Sequence, residues 1–350
     1  MIVCFRYIGD VLVTTPLAVS IKHAFPEAIV DYLVFKGTET VLEKNPYVNN
    51  VITIPPGSKS LKLAAKLWNS YDIAIATGVS DRMVIFSSIA GRKRVGLLYG
   101  FPKERLKRLL LNRHVRYYDT RHVVWNILST LVPLGIPALP HVVIGFDEQD
   151  MDFARQRLPA DNFVIMHPYS RNSFKYWSTE KWGELASLVT ERLGLKVVFT
   201  VTPSEPDREI LNEIKDHART TINVLPEPFS LNQLAVALSL SAAFVGIDTV
   251  VTHIAAAVGA PTIAIYGPTL TRYWAPWPQD CNDSSPFAAN QGIQRKGNVT
   301  IVQKEWSCVP CNKDTCAISN HSRTECLEQI SPEEVLREIM NSCGISEREI

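Results

Sequence analysis

Apolar positions in this chain fall in short runs separated by stretches of helical spacing, and the two alternate from the first residues. Ile2–Tyr7 predicts a buried strand, Ile8-Gly9-Asp10 a tight turn, and Val11–Ala24 a helix closed by Pro26. Strands follow at Ile29–Phe35, Val51–Ile54, Ile73–Ala76 and Arg94–Gly96, with helices at Glu39–Asn45, Lys59–Asn69 and Arg82–Ala90. A helix over His122–Leu134, a strand at Val142–Ile144 and a polar helix over Asp147–Leu158 complete the first half. A second series then begins with strand Phe163–His167. It runs through helix Thr179–Leu193, strand Lys196–Thr200, helix Pro206–Ala218, strand Thr221–Val224 and helix Leu231–Leu238. Strand Ala242–Ile247, helix Thr252–Val258 and strand Thr262–Tyr266 close the series, and a last helix spans Pro332–Asn341. Such alternation predicts an α/β protein with two doubly wound parallel sheets.

The expected organisation is a Rossmann-like domain over residues 1–150, a linker over 151–160, a second Rossmann-like domain over 161–330, and a terminal helix in 331–350 that returns to the first domain. Ligands would bind in the cleft between the two domains. A chain of 350 residues, 46% apolar and 20% charged, suits two domains with separate cores. No apolar run reaches the roughly 20 residues that a membrane span needs. Arg6 and Asp10 interrupt the place where a signal peptide would carry its apolar core, so the chain is expected in the cytoplasm.

The net charge of +1 conceals an asymmetry. Residues 1–150 hold 18 Lys and Arg against 12 Asp and Glu, and the remainder 18 against 23, so the halves carry +6 and −5. Ten of the basic residues lie in Arg92–Arg121, opposed by Glu104 and Asp119 alone. Such a patch suits an anionic membrane surface or a phosphorylated glycolipid. Lys103–Leu111 reads as a basic amphipathic helix with Leu106, Leu109 and Leu110 on one side; a solvated face is the plain alternative. Nucleic acid is disfavoured, because aromatic stacking positions do not interleave with the charges.

Four stretches could carry chemistry. Asp10 follows Gly9 at a strand-to-helix turn, where a carboxylate can cap the helix or act as a general base. This turn is not the glycine-rich dinucleotide fingerprint. The run from His167 to Ser178 places Ser170, Arg171 and Lys175 beyond a strand, cations that a departing diphosphate needs. Asp248-Thr249 open an Ala-rich helix at the end of another strand, and helix N-termini at such points favour anions. Glu205 and Asp207 follow strand Lys196–Thr200, where an acidic residue can bind ribose hydroxyls; the choice between them stays open. Among seven cysteines, Cys308, Cys311, Cys316 and Cys326 form a Cys-x2-Cys-x4-Cys-x9-Cys cluster. It is compatible with a metal, but the spacing is not that of a common zinc module, and packed thiols are the preferred reading.

In this order the motifs resemble glycosyltransferase family 9, the ADP-heptose:lipopolysaccharide heptosyltransferases, with a lean towards the heptosyltransferase III branch. Residues 6–16 look like its amino-terminal signature, Phe174–Ser178 like its phosphate loop, and 244–249, 253–257, 266–269 and 273–277 like its donor segment. The resemblance implies a GT-B fold and metal-independent, inverting transfer of heptose from ADP-heptose to a lipid-linked phosphorylated core oligosaccharide. It requires no cofactor, since the ADP-sugar is a substrate. Work at the cytoplasmic face of the inner membrane, in peripheral contact with its anionic lipids, is implied as well. Carried over by position, Asp10 would be the general base and Lys175, with Ser170 and Arg171, would hold the ADP phosphates. Asp248, Thr249, Val250 and Val251 would complete that grip, His253 would support the turn and Glu205 would meet the ribose. Arg6, Arg94 and Arg121 would meet the acceptor. Val250-Val251 replace the smaller or Pro/Leu residues usual there, which leaves open a relative that transfers another nucleotide-activated sugar. A non-catalytic nucleotide- or membrane-binding relative is the other open reading.

Overall fold

The structure is a computed structural model that describes residues 1–58, 60–226, 229–316 and 324–346. It divides into one unit of Met1–Gly145 with Asp280–Ser284, and another of Phe146–Gln279 with Ser285–Ile350.

The first unit runs β1 (Ile2–Cys4), α1 (Ile8–Leu12), α2 (Thr15–Ala24), β2 (Asp31–Phe35), β3 (Asn50–Ile54), α3 (Leu61–Leu67), β4 (Tyr71–Ala76), α4 (Asp81–Ala90), β5 (Gly91–Leu98), α5 (Arg105–Leu110), β6 (Arg113–Arg116) and α6 (Val123–Leu128). Its parallel sheet has the order β3-β2-β1-β4-β5-β6. Every residue of β1 is buried, as an interior parallel strand requires. The helix read as Val11–Ala24 is divided at Thr14. Its hydroxyl and that of Thr15 turn back onto the carbonyls of Val11 and Leu12, and Pro16 opens the second segment. The helix read as His122–Leu134 continues beyond α6 only as a 3-10 turn, Ser129–Leu134, which contains Pro133. No strand forms at 142–144. Those residues are held instead by the Asn45 and Thr15 side chains, which bond the carbonyl and the N–H of Val143. Conversely, β6 was not legible, because Arg-His-Val-Arg has no apolar run; it is a charged edge strand. Lys59, read as a helix start, lies outside the described residues.

The second unit runs α7 (Glu148–Arg155), β7 (Phe163–His167), α8 (Thr179–Leu193), β8 (Lys196–Phe199), α9 (Glu205–His217), β9 (Asn223–Val224), α10 (Leu231–Leu240), β10 (Ala243–Ile247), α11 (Val250–Ala257), β11 (Thr262–Tyr266), α12 (Thr271–Trp274), β12 (Gln294–Lys296), β13 (Val299–Gln303), α13 (Glu325–Glu328) and α14 (Pro332–Cys343). The sheet order is β12-β13-β11-β10-β7-β8-β9, parallel except for the edge strand β12. Ser178 caps α8 by accepting from the Lys181 N–H, and Gly259, at φ +82°, ends α11 in a conformation that side chains avoid.

Two boundaries differ from the sequence reading. The first half of the segment expected as a linker, 151–155, lies in helix α7, which is capped by Asp147 and packed on α10 inside the second unit. Helix α14 packs within the second unit. Its Val335, Leu336, Ile339 and Met340 join the second unit's core beside α8, and Arg295 of β12 clamps buried Glu338 at 2.6 Å. The sequence placed a helix here, but not the surface that it covers.

Candidate active site

In the second sheet β7 and β10 are neighbours whose connections leave in opposite directions, β7 towards β8 and β10 towards β11. The carboxyl ends of two such strands open a crevice between their loops. There Lys175, from the loop after β7, places its Nζ 2.6 Å from Oδ2 of Asp248, which follows β10. The same ammonium donates to the Asp248 carbonyl at 3.3 Å, across 73 residues of sequence. Thr269, in the turn after β11, donates its hydroxyl to the same Oδ2 at 2.8 Å. An ionised carboxylate can only accept hydrogen bonds. Asp248 therefore aims a cation and a hydroxyl, and the groups beside it with the chemistry to meet an anion are Lys175 and the N–H groups that open α11.

Thr249 is the residue before α11, and its side chain makes no capping hydrogen bond. Its Oγ1 and the Nδ1 of His253, one turn on, are buried and find no hydrogen-bond partner among the described residues. Burial lowers the His253 pKa to about 4; Asp248 opposes the shift and Lys175 adds to it, so the ring is neutral near pH 7. Buried polar atoms without partners call for an explanation, and a polar ligand at the helix start supplies one. Val251 is buried and packs as core, whereas Val250 is half-buried at the first helical position.

The loop after β7 is locally braced. His167 Nδ1 lies 2.7 Å from the Thr200 hydroxyl, and burial lowers its pKa to about 3. Tyr176 donates to the Ser170 carbonyl at 2.8 Å, and the Ser170 hydroxyl accepts from the Asn172 N–H at 3.2 Å. Arg171 is exposed on this loop. Glu205 points outward, with its side chain 74% exposed and 3.5 Å from Arg208. Asp207 instead accepts from the Thr202 hydroxyl, and its charge reaches Tyr169 and Tyr176, whose pKa values are raised first by burial and then by Asp207. Of the two acids, Asp207 is the one turned towards the β7 loop.

The first sheet has its own reversal point, between β1 and β4. Asp10 stands in α1 after β1 and accepts from Arg6 Nε at 3.1 Å, its side chain 16% exposed. From the start of α4 the guanidinium of Arg82 lies 5.0 Å from the ring centres of both Phe5 and Phe35 and donates to the Ser58 carbonyl at 2.7 Å. Arg94 is not brought to this end. It pairs with Ala74 midway along β5, and its Nε bonds Asn112. Arg121 does lie beyond the carboxyl end of β6, stacked 4.8 Å over Tyr118 in a loop that buried Asn126 holds at both carbonyls. Sequence reasoning placed Thr269 within the donor segment but gave it no role, and it missed Arg82 as a site residue. A Thr after Gly-Pro at a strand end and an Arg after Ser-Asp at a helix start were the available signals. Among the described residues no three of His, Cys, Asp or Glu are gathered as a ready metal shell.

Residues 60–317 match the model of glycosyltransferase family 9 (heptosyltransferase). The chain belongs to glycosyltransferase family 9. As a family 9 glycosyltransferase it is 28% identical over 293 residues to lipopolysaccharide heptosyltransferase 3 of Escherichia coli K12, covering 79% of this chain and 84% of that one. Among solved structures it is similar to a family 9 glycosyltransferase from Veillonella parvula, with TM-score 0.76, 19% identity, and coverage of 98% and 96% of the two chains. It is also similar to E. coli heptosyltransferase WaaC with ADP, with TM-score 0.71, 20% identity, and coverage of 97% and 98%. The GT-B expectation of two Rossmann-like units is met by the two parallel sheets and by these neighbours.

Proposed function

We propose that this family 9 glycosyltransferase transfers heptose from ADP-heptose to a lipopolysaccharide inner core, with inversion and without a metal at the transfer step. The observation that carries the reading is the junction of Lys175, Asp248 and Thr269 beside the unpartnered Thr249 and His253 atoms. A cation, a hydroxyl and a helix N-terminus in one crevice suit a diphosphate. The names of the E. coli relative and of the ADP-bound neighbour point to heptose and ADP in particular.

In this reaction the Asp10 carboxylate takes the proton of an acceptor hydroxyl. That oxygen attacks the anomeric carbon from the face opposite the diphosphate, and the bond from carbon to the departing phosphate oxygen breaks. Lys175 and the α11 N–H groups meet the charge that gathers on ADP. Arg6 fixes the Asp10 carboxylate for this role. Asp207 is the candidate for the ribose hydroxyls, in place of Glu205.

The acceptor is lipid-linked, and the basic first unit supplies its docking surface. Tyr99, Phe101, Arg108, His114 and Arg116 line a pocket of about 410 Å³ that suits a phosphorylated sugar. Leu106 and Leu109 of α5 are 69% and 80% exposed beside Lys103 and Arg105, a surface for the cytoplasmic face of an anionic membrane. Among the described residues no helix is long and apolar enough to cross a membrane.

The test is to incubate the purified chain with ADP-heptose and a truncated core lipopolysaccharide and to weigh the acceptor by mass spectrometry. A gain of one heptose is expected. An unchanged acceptor together with bound ADP would overturn the donor or acceptor assignment.

A further inference from the structure

The cysteines of the second unit take no part in the proposed transfer. Cys308, Cys311, Cys316 and Cys326 nevertheless line one cavity of about 70 Å³, walled also by Pro268 and Thr324. Cys326 is held in the first turn of α13. Its sulfur is buried, Cys308 is exposed, and Cys311 and Cys316 are half-buried. Four cysteines from one 19-residue stretch thus line a single small cavity, in a molecule whose remaining cysteines, Cys4, Cys281 and Cys343, lie elsewhere in the chain.

The cavity is built against the anion site. Asn312, between Cys311 and Cys316, donates its N–H to the Pro268 carbonyl at 2.8 Å and accepts from the Leu270 N–H at 2.9 Å. These bonds hold the turn that carries Thr269. Thr324, two residues before Cys326, donates to the Phe174 carbonyl at 2.6 Å, next to Lys175. Leu327 fills the space over Gly267, where an added Cβ would meet its Cγ at 2.8 Å. The cysteine-bearing segment therefore braces both loops that flank Asp248.

We propose that Cys308, Cys311, Cys316 and Cys326 take one thiophilic divalent ion of the zinc type, in a structural site that fastens this segment to the two anion-site loops. Four sulfur donors select soft ions in tetrahedral geometry over magnesium or calcium. The sulfurs surround the cavity without meeting in a closed shell, so binding draws the exposed Cys308 turn inward and releases the thiol protons. The ion is remote from the transfer step and adds no chemistry to it.

The experiment uses the full chain, reduced, freed of metal by a chelator and titrated with Zn²⁺ against a chromophoric competitor. Cobalt(II) is added to a second sample and followed by absorbance. One equivalent of zinc should bind and protect four thiols from a thiol reagent, and the cobalt form should show the intense bands of a tetrahedral thiolate site. Cys311→Ser and Cys308→Ser should each weaken zinc by at least about 100-fold, more than loss of an outer-shell partner does. Cys281→Ser should leave it unchanged. Cys308 is exposed, so its variant folds even if Cys326→Ser does not. Absence of a tight equivalent, or equal sensitivity to Cys281→Ser, would overturn the site. Zinc should also slow amide exchange at 269–270 and 172–176; unchanged exchange would overturn the bracing role. Neither readout depends on which sugar is transferred.

Discussion

The hydroxyl of Thr324 donates a 2.6 Å hydrogen bond to the carbonyl of Phe174, the residue before Lys175, across 150 positions of sequence. That bond fixes the backbone from which the site's central cation projects. Removing one hydrogen bond of this kind costs about 1 kcal/mol, and more when a buried acceptor is left unpaired. Thr324→Val should therefore raise the KM for the nucleotide sugar about five-fold while the overall fold is kept. Steady-state kinetics, with the unfolding midpoint as control, checks this, and an unchanged KM would remove Thr324 as a positioning residue.

Lys175 and Asp248 should not behave alike. Lys175→Ala removes a charge-assisted contact worth about 1.5–3 kcal/mol and should weaken ADP binding by about 10–100-fold. Asp248→Asn keeps the side-chain shape but loses the charge that holds Lys175 at 2.6 Å and the full strength of the bond from Thr269. If Asp248 only aims the cation, Asp248→Asn in a Lys175→Ala background should cost little more. Calorimetric titration with ADP across the double-mutant cycle reads this coupling. Fully additive losses would mean that the two act independently.

Asp10 has a partner in Arg6 at 3.1 Å and a mostly buried carboxylate. As the base of the proposed reaction, it should lose about 100- to 10,000-fold in kcat on conversion to Asn, the usual contribution of general base catalysis. ADP affinity should be nearly unchanged, because Lys175 and Asp248, the proposed diphosphate contacts, belong to the other unit. Near-normal turnover in Asp10→Asn would assign the carboxylate to helix capping alone.

Much of this arrangement could be read from the chain because parallel strands are continuous apolar runs. β7, β10 and β11 were placed to within one residue, and with them the loops that bear Lys175 and Asp248. The contacts between distant loops were not legible. Nothing local in Thr269 or Thr324 says that one meets Asp248 and the other Phe174, since tertiary packing alone brings them together. Two of the edge strands escaped for a different reason, while the edges β3 and β9 were found. β6 and β12 carry Arg, His, Gln and Lys, as exposed edges do, and so lack the pattern used to find strands. Glu205 was favoured over Asp207 by position only; which acid turns inward depends on the Thr202 hydroxyl.

Two buried histidines should contribute to the loss of stability in acid. His253 and His167 have pKa values lowered by burial to about 4 and about 3, from an ordinary 6.5. Both stay neutral when folded over a range in which the unfolded chain protonates them. The unfolded state therefore binds more protons between about pH 6.5 and 4, and stability falls as pH drops through that window. Each histidine contributes a slope of roughly 1.4 kcal/mol per pH unit at most near pH 5. Urea unfolding of the wild type and of His253→Gln at pH 7, 6 and 5 measures it. The variant should show a shallower slope by roughly one such increment, and identical slopes would mean that His253 is protonated in the folded chain.

The exposed apolar positions of the first unit make a prediction about membranes. Helices α3, α4 and α5 pack side by side. They leave Leu61, Trp68, Leu106 and Leu109 at 82, 68, 69 and 80% exposure. Lys62, Lys66, Lys103 and Arg105 stand among them in sequence, whereas Lys107 is turned aside to Asp81 at 2.7 Å. Isolated exposed leucines are ordinary, but a helix face that mixes them with cations suits an anionic interface. Burying two leucine side chains to half their area stabilises by about 2 kcal/mol, so Leu106→Gln/Leu109→Gln should weaken binding to vesicles rich in anionic lipid by about 30-fold. Lys103→Gln/Arg105→Gln should weaken it too, and should flatten its salt dependence, because each cation near the surface is worth about 1 kcal/mol. Turnover on a soluble, lipid-free core oligosaccharide should stay normal in both variants. Vesicle sedimentation at two salt concentrations decides the matter. Equal binding by wild type and both variants would leave α5 as a solvated face and move the acceptor's lipid elsewhere.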